Sequence, residues 1–397
     1  MKSGWNTLKL KEVCSVITDG THKTPKYTED GVRFISIKNV KPLAPINWDS
    51  YVKYISDEEH QELKKRCNPE FGDILFPRIG TLGYAKKIDF KEEVSLFVGL
   101  GLAKPKKDII NSSFLEYYLN SPYIYKLSHE KATGSGRQTL ALASSREFPV
   151  PVPPLEQQKQ IVAKLNQCFE AIDAAKANAA KNLENAKELF QSKLNDIFNQ
   201  KGEGWVEKKL GEISDVTYGF TDKSVEVGDF RYVRITDIDN NGELISTGKK
   251  YINSSKDGEK FILKDNDILM ARTGATFAKL LLYKDIEPSV FASYLIKIDF
   301  TENIDNEFYW FYAKSNGYWD QVNTLSTGSA QPHFNGKALK QVLFPYPISK
   351  IEQSRLINEF KRFQSKTQSL ESKYQQELNS LEELKKSILQ KAFEGEL

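Results

Sequence analysis

The 397-residue sequence predicts an α+β protein: two mixed α/β globular domains joined by two long helices that pack on each other as a coiled coil. Three observations predict this. The chain is written twice, each copy ends in a long run without Gly or Pro, and the segment before each run is rich in Gly, aromatic and β-branched residues. At roughly 150 residues per domain the length allows two to three domains, so a single small module is excluded. With 40% hydrophobic, 27% charged and 12% aromatic residues, the chain can bury real cores.

The duplication rests on ordered matches. Trp5-Asn-Thr-Leu-Lys-Leu10-Lys-Glu-Val13 returns as Trp205-Val-Glu-Lys-Lys-Leu210-Gly-Glu-Ile213. Asp73-Ile-Leu-Phe-Pro-Arg78-Ile-Gly80 returns as Asp267-Ile-Leu-Met-Ala-Arg272-Thr-Gly274, at an offset of 194 residues. Thr133-Gly134-Ser135 and Thr327-Gly328-Ser329 keep that offset, as do Pro151-Val-Pro153 and Pro345-Tyr-Pro347. Leu155-Glu156-Gln157 and Ile351-Glu352-Gln353 follow them.

The elements follow in chain order. Residues 1–150 form the first globular domain, with strand-like runs at Val32–Ile37 and Asp73–Phe76 bounded by Gly, Asp or Asn. A short helix is expected from about Leu115 to Leu119, ending in a turn at Ser121-Pro122. Residues 151–204 form the first helical spacer, because Leu155–Lys201 holds no Gly or Pro. Its seam runs from Val162, Leu165, Phe169 and Ile172 to Phe190 and Ile197 in steps of three and four. Residues 205–345 form the second globular domain, with strands at Phe230–Ile235 and Asp267–Met270, a helix at Phe308–Ala313 and a turn at Asn316-Gly317. Residues 346–397 form the second spacer, whose seam runs through Phe360, Phe363, Thr367, Leu370, Tyr374, Leu381, Leu384 and Ile388. At about 1.5 Å per residue each helix is roughly 65 to 70 Å long, too long for one compact domain to cover.

Composition narrows the function. The formal charge of +3 does not announce nucleic acid, but it is unevenly placed: residues 1–150 carry +5 and residues 205–345 carry −3. Cys14, Cys67 and Cys168 have no CxxC spacing, and the four histidines form no HxxxH pair, which disfavours disulfide scaffolds and structural zinc. Residues 1–11 lack a signal-type apolar core and no run approaches 18 apolar residues, so a soluble, cytoplasmic protein is expected.

In the order and content of these motifs the chain resembles the specificity (S) subunit of type I restriction-modification systems. The resemblance spans essentially the whole chain and rests on Asp19-Gly-Thr-His22, Gly31-Val-Arg-Phe-Ile-Ser-Ile-Lys-Asn39, the paired Ile-Leu-x-x-Arg-x-Gly segments, Thr133-Gly-Ser-Gly-Arg-Gln138, both Pro-x-Pro helix starts and Gln390-Lys-Ala-Phe-Glu-Gly-Glu-Leu397. It implies that the globular segments are target recognition domains, each reading one half of a split, asymmetric double-stranded DNA site. It implies that the helices run antiparallel, act as a spacer and dock two methyltransferase subunits. It further implies restriction and translocase subunits as partners, with S-adenosylmethionine, ATP and magnesium held by those partners and no cofactor or metal in this chain. Helix length would then set the distance between half-sites.

Side chains that could read DNA are few. Arg78 and Arg272 each follow a strand and precede Gly80 or Gly274, at a loop mouth where a guanidinium could reach guanine or phosphate, or else form an ion pair. Ser135, Arg137 and Gln138 lie in a Gly-Ser loop, matched in the second copy by Ser329, Gln331 and His333. His22, Lys23 and Lys223 are candidates for backbone contact, or simply solvated. Glu156, Gln157, Glu352 and Gln353 open the helices with a repeated polar pattern, suited to partner docking or to capping.

Two segments imitate methyltransferase loops. Phe97-Val-Gly-Leu-Gly101 resembles a Phe-x-Gly-x-Gly cofactor loop and Asn68-Pro-Glu-Phe71 an Asn-Pro-Pro-Phe loop. Glu70 stands where the second Pro belongs, and fewer than 30 residues separate the two, leaving no room for the intervening βαβ units. No phosphate loop or metal-nuclease cluster is present. The expectation is a non-catalytic DNA-recognition subunit. The alternatives are a self-sufficient methyltransferase or nuclease and an intracellular coiled-coil adaptor.

Overall fold

The structure is a computed structural model that describes residues 5–49, 51–239, 241–253, 258–285, 287–326 and 333–396. The chain divides into two compact units, Met1–Ala180 with Gln376–Leu397, and Lys181–Gln375. Each long helix therefore gives one part to each unit.

In the first unit, Cys14–Asp19, Leu100–Pro105, Ile74–Pro77 and Lys86–Lys87 form an antiparallel sheet in that order. A second sheet orders Tyr27–Thr28, Lys53–Ile55, Val32–Ile35 and Val94–Leu96, the last two strands parallel. A two-stranded ribbon joins Asn6–Lys9 to Pro149–Val152. The second unit repeats the plan. Ser214–Tyr218, Leu295–Phe300, Ile268–Ala271 and Leu280–Leu282 form the antiparallel sheet. Tyr251–Ile252, Phe230–Val233 and Ser289–Phe291 form the second sheet, again with one parallel pair, and Trp205–Lys209 pairs with Leu343–Pro347. The four strands read from the sequence are present, each trimmed or shifted at its ends.

The predicted short helices are Ser112–Leu119 and Asn306–Tyr312. The turns expected at Ser121-Pro122 and Asn316-Gly317 are instead helix starts, opening Pro122–Lys131 and Asn316–Leu325. Ser121 and Ser315 are their N-caps, accepting from the Ile124 and Tyr318 amides, and Pro122 sits at the first turn where its missing N–H costs nothing.

The long helices span Leu155–Gln200 and Lys350–Glu394. In the first unit they run antiparallel: Lys385 bonds Asp173 at 3.0 Å and Lys176 pairs with Glu382. In the second, Lys193 pairs with Glu359 at 3.0 Å and the Phe198 and Phe360 rings stack. The helices also complete the cores of the globular regions. Leu165, Phe169, Leu389 and Phe393 pack with Phe114 and Tyr118. Leu194, Phe198, Leu356 and Phe360 pack with Phe308, Phe311 and Phe344.

This double duty corrects the seam. Ile161 and Phe198 are the buried positions where Val162 and Ile197 were expected, because both belong to core clusters that combine the long helices with the globular regions. Leu370 and Leu384, placed on the seam by spacing alone, are 36% and 46% exposed.

Candidate nucleic-acid interface

In both units a loop cluster forms at the end of the first sheet, built from the same three pieces. The first piece is the end of the strand Cys14–Asp19 or Ser214–Tyr218. Pairing of Asp19 with Gly101, of Gly101 with Phe76, of Tyr218 with Ile296 and of Ile296 with Met270 makes Asp19 and Tyr218 equivalent. The next residue is glycine in both copies because a Cβ at Gly20 would lie 2.1 Å from the Leu96 carbonyl oxygen, and at Gly219 2.3 Å from that of Ala292. The second piece is the Arg-x-Gly turn. The Arg78 amide donates to the Gly99 carbonyl at 2.8 Å and that of Arg272 to Tyr294 at 2.9 Å. Gly80 and Gly274 close the turn at φ +84° and +81°, a region that favours glycine. The third piece is the returning segment, whose Leu140 amide donates to the Arg78 carbonyl and whose Phe334 amide donates to that of Arg272.

The first cluster gathers several of the predicted residues. Thr133 and Thr139 exchange backbone hydrogen bonds at 2.9 and 2.8 Å, so the intervening Ser135 and Arg137 form an exposed hairpin tip, and the Gly80 amide donates to the Gln138 carbonyl at 2.8 Å. His22 and Lys23 are exposed at its edge. Arg78 does not stand free: its guanidinium pairs with Asp19 and its Nε donates to the Leu140 carbonyl, leaving the side chain 11% exposed. Of the two readings left open for Arg78, the ion pair holds, which corrects its placement as an accessible reader. The carboxylate of Asp19, only 2% exposed, also receives Arg66 and lies 3.0 Å from His22 Nε2. Arg66, 54% exposed, was not singled out from the sequence. It follows the helix Asp57–Lys64, in a turn where the Arg66 and Cys67 amides both donate to the Leu63 carbonyl.

The second cluster keeps the arginine and changes its support. The Arg272 guanidinium lies 4.8 Å from the centroid of the Tyr218 ring and donates to the Ser293 carbonyl at 3.2 Å. The Tyr218 hydroxyl accepts from the Gly336 amide at 2.9 Å. An ion pair in one copy is thus a cation–π contact in the other. His333 is exposed beside this turn and Lys223 is exposed in the loop after Gly219. Ser329 and Gln331 lie outside the described residues.

At the helix starts, Glu156 is exposed and Gln157 and Glu352 are half-buried. Gln353 is fully buried and corrects its assignment to a docking surface: its Oε1 accepts from the Asp305 amide at 2.8 Å, and its Nε2 donates to the Pro347 carbonyl at 2.9 Å and to that of Asn303 at 3.2 Å. Its counterpart is Gln158 rather than Gln157, bound in the same way to the Asn111 amide and the Pro153 and Ile109 carbonyls. The cofactor-loop imitation also has a packing origin. Gly101 opens into the strand Leu100–Pro105, where a Cβ would lie 2.4 Å from the Phe76 ring, and Glu70 is taken up by Lys104 at 2.8 Å. Among the described residues, no helix is long and apolar enough to cross a membrane.

Comparison with known proteins agrees with this architecture. The family model described as the type I restriction modification DNA specificity domain matches twice, over residues 2–185 and 202–380. The type I restriction enzyme StySPI specificity subunit of Salmonella potsdam is 25% identical over 424 residues, covering 100% of this chain and 90% of that protein. The EcoKI specificity subunit of Escherichia coli strain K12 is 25% identical over 331 residues, covering 77% and 69%. A solved chain from work on complex assembly and conformational transition of the type I R-M system superposes with a TM-score of 0.78 at 18% identity, covering 100% of this chain and 99% of that one. The HsdS subunit of Thermoanaerobacter tengcongensis gives 0.62 at 19% identity, covering 100% and 98%.

Proposed function

The chain belongs to the type I restriction-modification DNA specificity family, and from that premise we infer that its two globular regions read two unlike half-sites of one asymmetric duplex target. Its own role is recognition, not catalysis. The observation that carries the reading is the recurrence of one loop cluster at one topological position with different accessible side chains: Arg66 and Arg137, on a frame made by Asp19 and Arg78, in the first copy, and Tyr218, Arg272 and His333 in the second. Different donors and ring faces select different base edges in the major groove.

Methylation and cleavage are then assigned to partner subunits. Two methyltransferase subunits would dock near the helix starts, where Glu156, Gln157 and Glu352 keep accessible surface, and a restriction and translocase subunit would join them. S-adenosylmethionine, ATP and magnesium would be bound by those partners. No residue cluster described above favours a self-sufficient methyltransferase or a purely structural adaptor.

Methylome sequencing of a host carrying the functional partner genes, with and without this gene, tests the reading. A bipartite methyladenine motif that appears only with the gene is expected. Its absence in the presence of active partners would refute the assignment.

A further inference from the structure

We propose that Arg66, held by the buried carboxylate of Asp19, is the specificity-determining residue of the first globular region and is directed at a guanine in its half-site. This rests on the DNA-recognition reading above and goes further by naming the reading group and the base.

Asp19 offers two oxygens and spends both on cations. Oδ2 takes Arg78 and faces His22, while Oδ1 takes Nη2 of Arg66. Arg78 is consumed by this arrangement, being 11% exposed with its Nε on the Leu140 carbonyl. Arg66 is tied by only one of its nitrogens and remains 54% exposed. A guanidinium carries five N–H donors in a rigid fork, so one anchored donor still leaves a free pair of the geometry that matches guanine O6 and N7.

Pre-organisation separates Arg66 from its neighbour Arg137. Arg137 sits at the exposed hairpin tip, and a side chain there must be ordered when DNA binds. Arg66 already has its fork aimed by a carboxylate that is itself fixed between two arginines. The charge also fits. Asp19, Arg66 and Arg78 sum to one positive charge on a largely buried frame, so the cluster presents a cation without leaving Asp19 unpaired.

The contrast with the second copy supports a role in selectivity. Tyr218 replaces Asp19 at the equivalent position and offers Arg272 a ring face instead of a carboxylate. The two regions thus present arginine differently, as an unlike pair of half-sites requires. In this scheme Asp19 is a positioning residue that acts through Arg66.

The test uses the full chain co-expressed with its methyltransferase partners. Binding is measured to the cognate duplex and to duplexes substituted one base pair at a time in each half-site, at several salt concentrations. R66A is expected to lose at least tenfold discrimination at one G·C pair of the first half-site and to leave the second half-site unchanged. R66K, which keeps the charge and loses the fork, should lose the same discrimination while retaining the salt dependence of the wild type. D19N should lose discrimination with non-specific affinity retained, and its melting temperature is read in parallel because Arg78 loses its ion pair. R66A and R66K leave the Asp19–Arg78 pair in place and so report on recognition rather than folding. A loss in R66A that is uniform across all sequences and comes with a shallower salt dependence would make Arg66 a phosphate contact and overturn the proposal, as would unchanged discrimination. Absence of site-specific binding by the wild-type complex would instead sink the DNA-recognition reading and this assignment with it.

Discussion

The Lys314 ammonium lies 3.2 Å from the centroid of the Trp310 ring, in the wall of a cavity of about 570 Å³ shared with Lys187, Lys279 and Trp319. Burial pushes its pKa down to about 8, against weaker support for the charge from Glu243, Asp239 and Glu307. Below pH 8 both the folded and unfolded chains carry this proton, and the folded state bears the burial penalty. Between pH 8 and the ordinary value of 10.5 the folded state releases the proton while the unfolded chain keeps it, so this group's contribution to stability rises with pH across that window. Lys314→Met should therefore stabilise the protein at pH 7, by less than about 3 kcal/mol because the Trp310 face favours the charged form. The gain should shrink as pH approaches 10.5. Urea denaturation of both proteins at pH 7 and pH 10 checks this, and an equal difference at the two pH values would contradict it.

Each long helix is locked to its globular region by one buried glutamine. Gln158 and Gln353 satisfy a backbone amide and two carbonyls that would otherwise be stranded where the Pro-x-Pro segment turns into the helix. Replacing either by Leu removes the partner and leaves the backbone groups buried, at a cost of about 1 to 3 kcal/mol. Gln157→Leu, one residue away, should stay within about 0.5 kcal/mol. Chemical denaturation of the three variants decides the matter, and equal effects at Gln157 and Gln158 would show that the clamp contributes nothing. The helix starts were legible in sequence because Pro-x-Pro followed by a Gly-free run has a local cause. Which glutamine turns inward was not, since the two copies differ by one residue between the prolines and the clamp. The seam was legible in its periodicity only. Ile161 and Phe198 are chosen over Val162 and Ile197 by sheets and helices distant in sequence, which spacing within one helix cannot reveal.

Across the whole molecule, the duplication made the repetition of the globular domains readable in the sequence, because Arg78 and Arg272, with their glycines, mark equivalent turns. What stayed hidden were the partners of those arginines. Asp19 and Arg78 are 59 residues apart and Asp19 and Arg66 are 47 apart, so no local pattern announces the cluster. The charge asymmetry is a further whole-chain property, and it has a measurable consequence. Residues 1–150 carry +5 and residues 205–345 carry −3, and several cations of the first region are already committed to carboxylates, among them Arg78 with Asp19 and Lys104 with Asp73. Each phosphate neutralised adds about 0.9 to the slope of log affinity against log salt. If the partner subunits supply most of the phosphate contacts, the chain should give a shallow slope by itself, of magnitude below about 4. Its complex with methyltransferase subunits should be steeper by several units if those partners supply most of the backbone contacts. Filter binding or fluorescence anisotropy across 50 to 300 mM salt, with the chain alone and with the assembled complex, makes the comparison. Equal slopes would place the phosphate contacts on this chain and remove the reason for assigning them to its partners.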